Sequence, residues 1–120
     1  MRKVLIVDDA VTMRQMVSFT LQKGGYEVVE AVHGQDALDK LAGASFDLMI
    51  TDLNMPVMDG ITLIRNARQL PAMKTKPILM LTTEGNPAKK EAGKAAGATG
   101  WIVKPFNPDK LLETLTRVLP

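Results

Sequence analysis

The stretch KVLIVDD, residues 3–9, places four consecutive apolar residues directly before two aspartates. The pattern returns in LMITD, residues 48–52, where a mainly apolar run again ends on an acid. Short apolar runs bounded by polar residues are typical of strands buried on both faces, as in a parallel sheet covered by helices. The two stretches therefore predict two buried strands, each followed by acidic side chains.

Outward from these strands, strand-like runs alternate with helical patterns along the whole chain. The predicted strands cover residues 3–8, 27–31, 48–52, 78–82 and 100–104. A helical pattern follows each of them, and regular alternation with right-handed crossovers gives a doubly wound α/β fold. Five strands favour the flavodoxin-like parallel sheet, order 2-1-3-4-5, with five helices. The length of 120 residues fits a single domain spanning residues 1–120.

Caps and apolar spacing set the expected helices. The first ends at Gly24, Asp59 caps the third, and Asn86 and Asn107 cap the fourth and fifth, each just before a proline. The fourth carries only alanines as apolar residues, so weak docking is expected. The first helix is expected to turn a regularly spaced set toward the core: Met13, Met16, Val17, Thr20 and Leu21.

Composition excludes several classes of protein. With no cysteine and one histidine, His33, the chain has no disulfides, no thiolate zinc site and no Ser-His-Asp triad. No run is long enough to span a membrane and the N-terminus does not resemble a signal peptide, so a cytoplasmic monomer without membrane insertion is expected. The sequence pI near 9.0 raises the question of nucleic acid. One tryptophan, one tyrosine and three phenylalanines give no aromatic platform, and no DNA-reading motif is present, so we expect no nucleic-acid partner.

Acids follow two of the strands that should be neighbours. Asp8 and Asp9 follow the first strand and Asp52 ends the third. In such folds the ligand lies beyond the carboxyl ends of the strands, where these carboxylates converge and repel one another. A cation is therefore expected, and all-oxygen ligands favour Mg²⁺ or Mn²⁺ over zinc.

The fourth and fifth strands add a hydroxyl and a cation to the same edge. Thr82 ends the fourth strand and Lys104 the fifth. A lysine suits a phosphoryl oxygen, and a hydroxyl can donate to one. Acids, metal, lysine and hydroxyl together predict a phosphoryl-transfer site. Its nucleophile would be a carboxylate, because no serine–base pair or histidine is available.

Four motifs in this order resemble the response-regulator receiver domain family, most closely its stand-alone chemotaxis members, over the whole chain. They are Asp8-Asp9, DLNMPVMDG at residues 52–60, Leu81-Thr82 and Lys104-Pro105-Phe106. The resemblance implies a phosphoacceptor switch, not an enzyme in the usual sense, in which Asp52 takes a phosphoryl group from the phosphohistidine of a histidine kinase. It also implies a cis bond before Pro105. The implied Mg²⁺ ligands are Asp9, Asp52, the Asn54 carbonyl and, through water, Asp8.

The resemblance also assigns the switch. Lys104 and Thr82 would contact the phosphoryl group, and Thr82 would let the ring at position 101 turn inward. That position usually holds tyrosine or phenylalanine, and here it is Trp101. Thr83 stands where a small residue is usual. Asn54 and Glu84 lie two residues beyond Asp52 and Thr82, where either could orient a water that hydrolyses the acyl phosphate.

The partner should meet a basic surface on the fourth helix, fifth strand and fifth helix. We expect this output surface to dock an acidic or amphipathic segment of a downstream protein, such as a flagellar motor switch protein. The alternative is a phosphate sink or a receiver outside chemotaxis. A flavin-binding module would need a phosphate loop after the first strand, and a haloacid-dehalogenase-type phosphatase would need an Asp-x-Asp motif there and a cap. The sequence shows none of these features, so both classes of protein are rejected. The output surface comprises Lys89, Lys90, Lys94, Trp101 and Lys110.

Overall fold

The computed structural model describes residues 2–83 and 87–119 of the chain. Strands and helices alternate as predicted, with a short 3-10 helix at Pro71–Met73 before the fourth strand. The strands are β1 Lys3–Val7, β2 Glu27–Ala31, β3 Leu48–Asp52, β4 Ile78–Thr83 and β5 Gly100–Lys104. The helices are α1 Val11–Lys23, α2 Gly34–Gly43, α3 Gly60–Ala67, α4 Pro87–Ala96 and α5 Pro108–Val118.

All strand pairs are parallel, and the order is β2-β1-β3-β4-β5, which confirms the predicted topology. In the register, Val7 lies beside Thr51, Asp52 beside Leu81, and Thr83 beside Lys104. The carboxyl ends of β1, β3, β4 and β5 therefore meet at one edge, and the residues that follow them face one another there.

Alternate residues of each central strand supply two separate cores. Leu5 and Val7 of β1 pack under α2 and α3, together with Leu63 and Ile64. Val4 and Ile6 face α1 and α5, whose contributions include Val17, Leu21, Leu111 and Leu115. Both faces of the sheet are thus covered, which explains why β1, β3 and β4 read as nearly continuous apolar runs.

Side-chain caps fix three helix starts. Asp59 accepts the backbone N–H of Thr62 at the start of α3, and Asn107 accepts those of Asp109 and Lys110 in α5. His33 caps α2 through its Nδ1, which accepts the backbone N–H of Asp36, a role its loop position did not predict. Gly24 ends α1 as expected, and the cap predicted at Asn86 lies outside the described residues.

Three predictions need correction. Met16 is half exposed and therefore not part of the core. The buried face of α1 is narrower than the apolar spacing suggests. The first strand ends at Val7, since Asp8 already turns its side chain back to the Ala10 N–H. The fourth strand continues to Thr83, which still pairs with Lys104.

Helix α4 differs from the other helices in how little it buries. Gly93 is the one buried residue along its length, and Met80 of β4 fills the space that a β-carbon would occupy. Beyond its C-terminal end, the carbonyl of Gly97 accepts hydrogen bonds from Arg68 Nε and Nη2 at 3.0 and 2.7 Å. Arg68 Nη1 also donates to the carbonyls of Met73 and Lys76. Burial without a carboxylate partner lowers the pKa of Arg68.

Across residues 2–83 and 87–119, none of the helices has the length and apolar character needed to cross a membrane. The cytoplasmic location stays a prediction.

Candidate functional site

Three carboxylates meet at the carboxyl edge of the sheet. Asp8 follows β1, Asp9 comes next, and Asp52 ends β3; each offers an oxygen, and these oxygens all lie within 4.8 Å of one another. Asp8 is fully buried and Asp52 nearly so, whereas Asp9 is exposed. The structure thus brings together the three acids that the sequence placed at one edge, with one side open to solvent. We call these residues and Lys104 the acid pocket.

Asp8 carries the clearest sign that the pocket suits a cation. Its Oδ1 accepts the backbone N–H of Ala10 at 2.9 Å, but its Oδ2 is buried without a hydrogen-bond partner. Burial raises the pKa of Asp8, and repulsion from Asp52 adds to this, while the Ala10 hydrogen bond opposes it. A buried carboxylate oxygen in this condition costs free energy unless a positive charge compensates it.

Lys104 supplies part of that compensation. Its Nζ lies 2.8 Å from Asp52 Oδ1 and 3.7 Å from Asp8 Oδ2, and its side chain is mostly buried. The end of β5 points this lysine into the pocket, and the Lys104–Pro105 bond that follows is cis, as predicted. The ammonium is therefore directed at the carboxylate oxygens of Asp52 and Asp8.

The donor set fits a hard divalent cation. Three carboxylates against one lysine leave a formal excess of negative charge, and the groups that could bind a metal here are carboxylate oxygens, among them the Asp8 Oδ2 that lacks a hydrogen bond within the described residues. Mg²⁺ prefers oxygen ligands and keeps several waters, which suits a site open on the Asp9 side. The same donors would accept Mn²⁺.

Two of the other predicted site residues, Thr82 and Asn54, belong to or follow strands that end at this edge of the sheet. Thr82 is buried near the end of β4, and its Oγ1 donates a long 3.4 Å bond to the Thr83 carbonyl, which holds the hydroxyl weakly. Asn54 is exposed in the loop after β3. Glu84, the other predicted tuning residue, lies outside the described residues.

The output surface centres on Trp101. Trp101 is 44% exposed, and Lys90 Nζ of α4 lies 4.6 Å from the centre of its ring. Lys94 shares with Trp101 and Met80 a cavity of about 170 Å³. On the other side, Lys110, Trp101 and Phe106 line a cleft of about 420 Å³. Lys89 lies exposed on α4.

Sequence reasoning missed two residues that support the pocket. A β-carbon at Gly60 would collide with the backbone carbonyl oxygen of Asp52 and lie 2.8 Å from Leu53 Cα, so only glycine fits there. Arg14 of α1 donates to the backbone carbonyl of Asp8. A glycine directly after a helix cap was the available signal for the first. For Arg14 the sequence carried none, because the bond depends on how α1 packs beside β1.

Comparison with known proteins identifies the class. The family model described as the response regulator receiver domain matches residues 4–116, and the chain belongs to this family. A curated relative, the chemotaxis protein CheY1 of Helicobacter pylori, is 46% identical over 98% of this chain and 96% of its own. The chain is a single-domain, CheY-like response regulator of a two-component system.

Solved structures agree with this assignment. Chemotaxis protein CheY4 of Vibrio cholerae is 58% identical, with a TM-score of 0.96 over 99% of both chains. The receiver domain of a sensor histidine kinase from Pseudomonas aeruginosa is 26% identical, with a TM-score of 0.91 over 98% of this chain and 96% of its own. That structure has a magnesium ion coordinated in its active-site cleft.

Proposed function

We propose that residues 1–120 act as one receiver domain that is phosphorylated on Asp52 by a histidine kinase and signals by binding a partner in its phosphorylated form. The observation that carries the proposal is the contact of Lys104 Nζ with Asp52 Oδ1 at 2.8 Å, beside the buried Oδ2 of Asp8, which has no hydrogen bond among the described residues. A buried, cation-paired carboxylate at the mouth of an acidic metal pocket suits a phosphoacceptor.

The proposed transfer uses Asp52 as nucleophile. Its carboxylate oxygen forms a bond to phosphorus while the phosphorus–nitrogen bond of the phosphohistidine breaks. The electron pair of that bond goes to the imidazole nitrogen, which takes a proton. Lys104 holds Asp52 in place and then pairs with the phosphoryl oxygens. When bound by Asp8, Asp9, Asp52 and the Asn54 carbonyl, Mg²⁺ would neutralise the charge that gathers between carboxylate and phosphoryl group.

Phosphorylation would then favour a second conformation. The new group adds about −1.5 to −2 charges and three acceptor oxygens where β3, β4 and β5 end. The weakly bonded Thr82 hydroxyl is free to turn toward it, which opens space for Trp101 to move inward. Only contacts that differ between the two states can shift their balance, and Thr82 and Lys104 supply such contacts.

For the partner we propose an acidic or amphipathic segment that docks on the output surface. Lys90, Lys94 and Lys110 surround the half-exposed Trp101, so positive charge borders an apolar centre. The chemotaxis relatives favour a chemotaxis-type kinase as donor and a flagellar motor switch protein as target, both in the cytoplasm. Neither nucleic acid nor membrane is among the proposed partners, and the working form is a monomer.

The phosphorylation test uses acetyl phosphate with and without Mg²⁺. Intact mass should show one added phosphoryl group that requires Mg²⁺ and is lost in Asp52→Asn. The control is Asp39→Asn, which removes an exposed carboxylate on α2 and should be phosphorylated normally. If the unsubstituted protein gains no phosphoryl group, or Asp52→Asn gains one, the proposal is wrong.

Dephosphorylation offers a second test of the same site. We propose that Asn54 and Glu84 set the lifetime of the acyl phosphate by orienting the attacking water, giving a lifetime of seconds to minutes by family resemblance. Asn54→Arg and Glu84→Leu should each change the decay rate of the phosphorylated protein without preventing its formation. Unaltered decay in both variants would remove this part of the proposal.

The output surface is tested by charge reversal. Lys89→Glu with Lys90→Glu should weaken binding of the phosphorylated protein to the motor switch protein while leaving phosphorylation intact. A chain that is phosphorylated but binds no such protein in either form would instead be a phosphate sink or a receiver outside chemotaxis.

A further inference from the structure

Arg14 occupies a position in α1 that electrostatics disfavours. It lies near the start of the helix, where its own N–H bonds to the Ala10 carbonyl, and the first turn holds no acid. The partial positive charge of a helix N-terminus repels a cation there. Ala10, at the cap position, makes no side-chain capping bond either. A nearly buried arginine at this place therefore needs stabilising contacts elsewhere.

Two short contacts supply that stabilisation. Arg14 Nη1 donates to the backbone carbonyl of Asp8 at 2.8 Å, and Nε donates to Glu30 Oε1 of β2 at the same distance. The Arg14 side chain is 11% exposed and that of Glu30 37% exposed. The guanidinium thus connects the edge strand to the segment that carries Asp8 and Asp9.

The hydrogen bond from Arg14 completes the set of contacts that hold Asp8 in place. Its N–H donates to the Ala31 carbonyl at 3.3 Å, its carbonyl accepts from Arg14, and its Oδ1 accepts from Ala10. Oδ2 is the one oxygen of Asp8 left without a hydrogen-bond partner. Every other polar group of Asp8 is hydrogen-bonded, so Oδ2, which has only the longer 3.7 Å ion pair with Lys104 among the described residues, has a fixed position in the acid pocket.

Glu30 neutralises the positive charge that Arg14 brings next to the acid pocket. An unpaired arginine beside the pocket would repel a divalent cation, but the Glu30 carboxylate cancels its charge at 2.8 Å. The pair can then hold the Asp8 backbone while leaving the negative charge of the three aspartates available.

From these contacts we propose that the Arg14–Glu30 pair is a positioning element that sets the affinity of the acid pocket for a divalent cation. Arg14 fixes the Asp8 segment, and Glu30 neutralises Arg14. The proposal rests on the proposed function, since it takes the acid pocket to be the Mg²⁺ site. Residues behind metal ligands typically change metal affinity about 10- to 100-fold when they are lost.

The experiment separates the two roles by calorimetric titration of the metal-free protein with Mg²⁺. Arg14→Met should weaken binding about 10-fold or more, and Arg14→Lys, which retains one donor direction, should restore part of the loss. Glu30→Gln keeps an acceptor for Nε but loses the charge, so its smaller defect should shrink as salt is raised. The matched controls, Arg65→Met on the exposed face of α3 and Glu27→Gln at the other end of β2, should bind like the unsubstituted protein.

A second readout needs no metal. In the metal-free protein, hydrogen exchange at the Ala10 amide reports its bond to Asp8 Oδ1 and should be faster in Arg14→Met than in Glu30→Gln. Unchanged Mg²⁺ affinity in Arg14→Lys and Glu30→Gln would overturn the proposal even if Arg14→Met does not fold. If the unsubstituted protein binds no Mg²⁺, the proposed function fails as well; if it binds and the variants match it, this inference alone fails.

Discussion

The acid pocket and the output surface are held in place by opposite means. In the pocket, Asp8 and Asp52 are buried, and Lys104 Nζ lies within 2.8 Å of an Asp52 oxygen. On the output surface, Trp101 is 44% exposed and meets the Lys90 ammonium at 4.6 Å. The phosphoryl transfer proposed at Asp52 requires fixed atoms, whereas the change proposed for the output surface requires contacts that break at low cost. The contrast predicts that equivalent substitutions have unequal effects in the two regions.

The largest expected difference is between two glycines. Gly60→Ala would push a β-carbon into the Asp52 backbone, which cannot move without disturbing the pocket, so a loss of about 3 kcal/mol is expected. Gly93→Ala meets the far end of the flexible Met80 side chain. Its repacking cost should be largely offset by about 1 kcal/mol of helix propensity. Urea unfolding of both variants measures the difference, and equal losses would contradict the contrast.

Asp8→Asn should have the next largest effect: it should stabilise the metal-free protein but weaken the binding of Mg²⁺. Removing one of three crowded carboxylates should stabilise the metal-free protein by about 1 kcal/mol, about 4 °C in Tm. Loss of a charged ligand oxygen should weaken Mg²⁺ binding by more than about 10-fold. Thermal unfolding in chelator and in Mg²⁺ tests both, with Asp39→Asn as the control. A lower Tm in chelator would show that repulsion does not dominate the pocket.

The third comparison is between two helix caps in acid. Asp59 caps α3, which begins beside the acid pocket, and Asn107 caps α5, which carries Lys110 of the output surface. Asp59→Ala and Asn107→Ala should each cost about 1 kcal/mol at neutral pH. The Thr62 N–H lowers the pKa of Asp59, so its contribution is present above the ordinary value of 3.8 and is lost as pH falls through the lowered pKa. Asn107 does not titrate. The Asp59→Ala defect should therefore disappear in strong acid while the Asn107→Ala defect persists, and identical pH profiles would refute this assignment.

The smallest expected effect is that of the lysine over Trp101. A cation–π contact at an exposed site is worth about 0.5–1 kcal/mol, so Lys90→Gln should leave stability almost unchanged. It should still alter the fluorescence of the sole tryptophan and ease its movement on phosphorylation. Lys94→Gln, one turn further along α4, removes the same charge from a lysine that makes no cation–π contact within the described part of the chain, and it serves as the control. Matching spectra for the two variants would assign the effect to charge alone.

Much of the site was predictable because strand ends are easy to locate. An apolar run that stops at Asp52, or at Lys104, identifies a strand and the side chain beyond it together. Parallel topology then brings those side chains to one edge, so their meeting followed from the order of the elements.

The rest depended on distances between elements that local sequence does not encode. Gly60 is required because α3 begins against the Asp52 backbone, and Arg14 matters because α1 approaches both Asp8 and β2. The exposure of Met16 has the same origin, because periodicity shows the direction of the buried face of α1 but not its width.

The Arg68 hydrogen bonds hold the C-terminal end of α4 in place. They tie the Gly97 carbonyl, just past the helix, to the carbonyls of Met73 and Lys76, so the end remote from the acid pocket is anchored. The ten-residue helix is about 15 Å long and buries one glycine along that length. Because it is anchored at one end and lightly packed along its length, α4 would pivot about its Arg68 end in any displacement. If Thr82 acts as the proposed switch, the displacement that it causes would be largest at the end that carries Lys90.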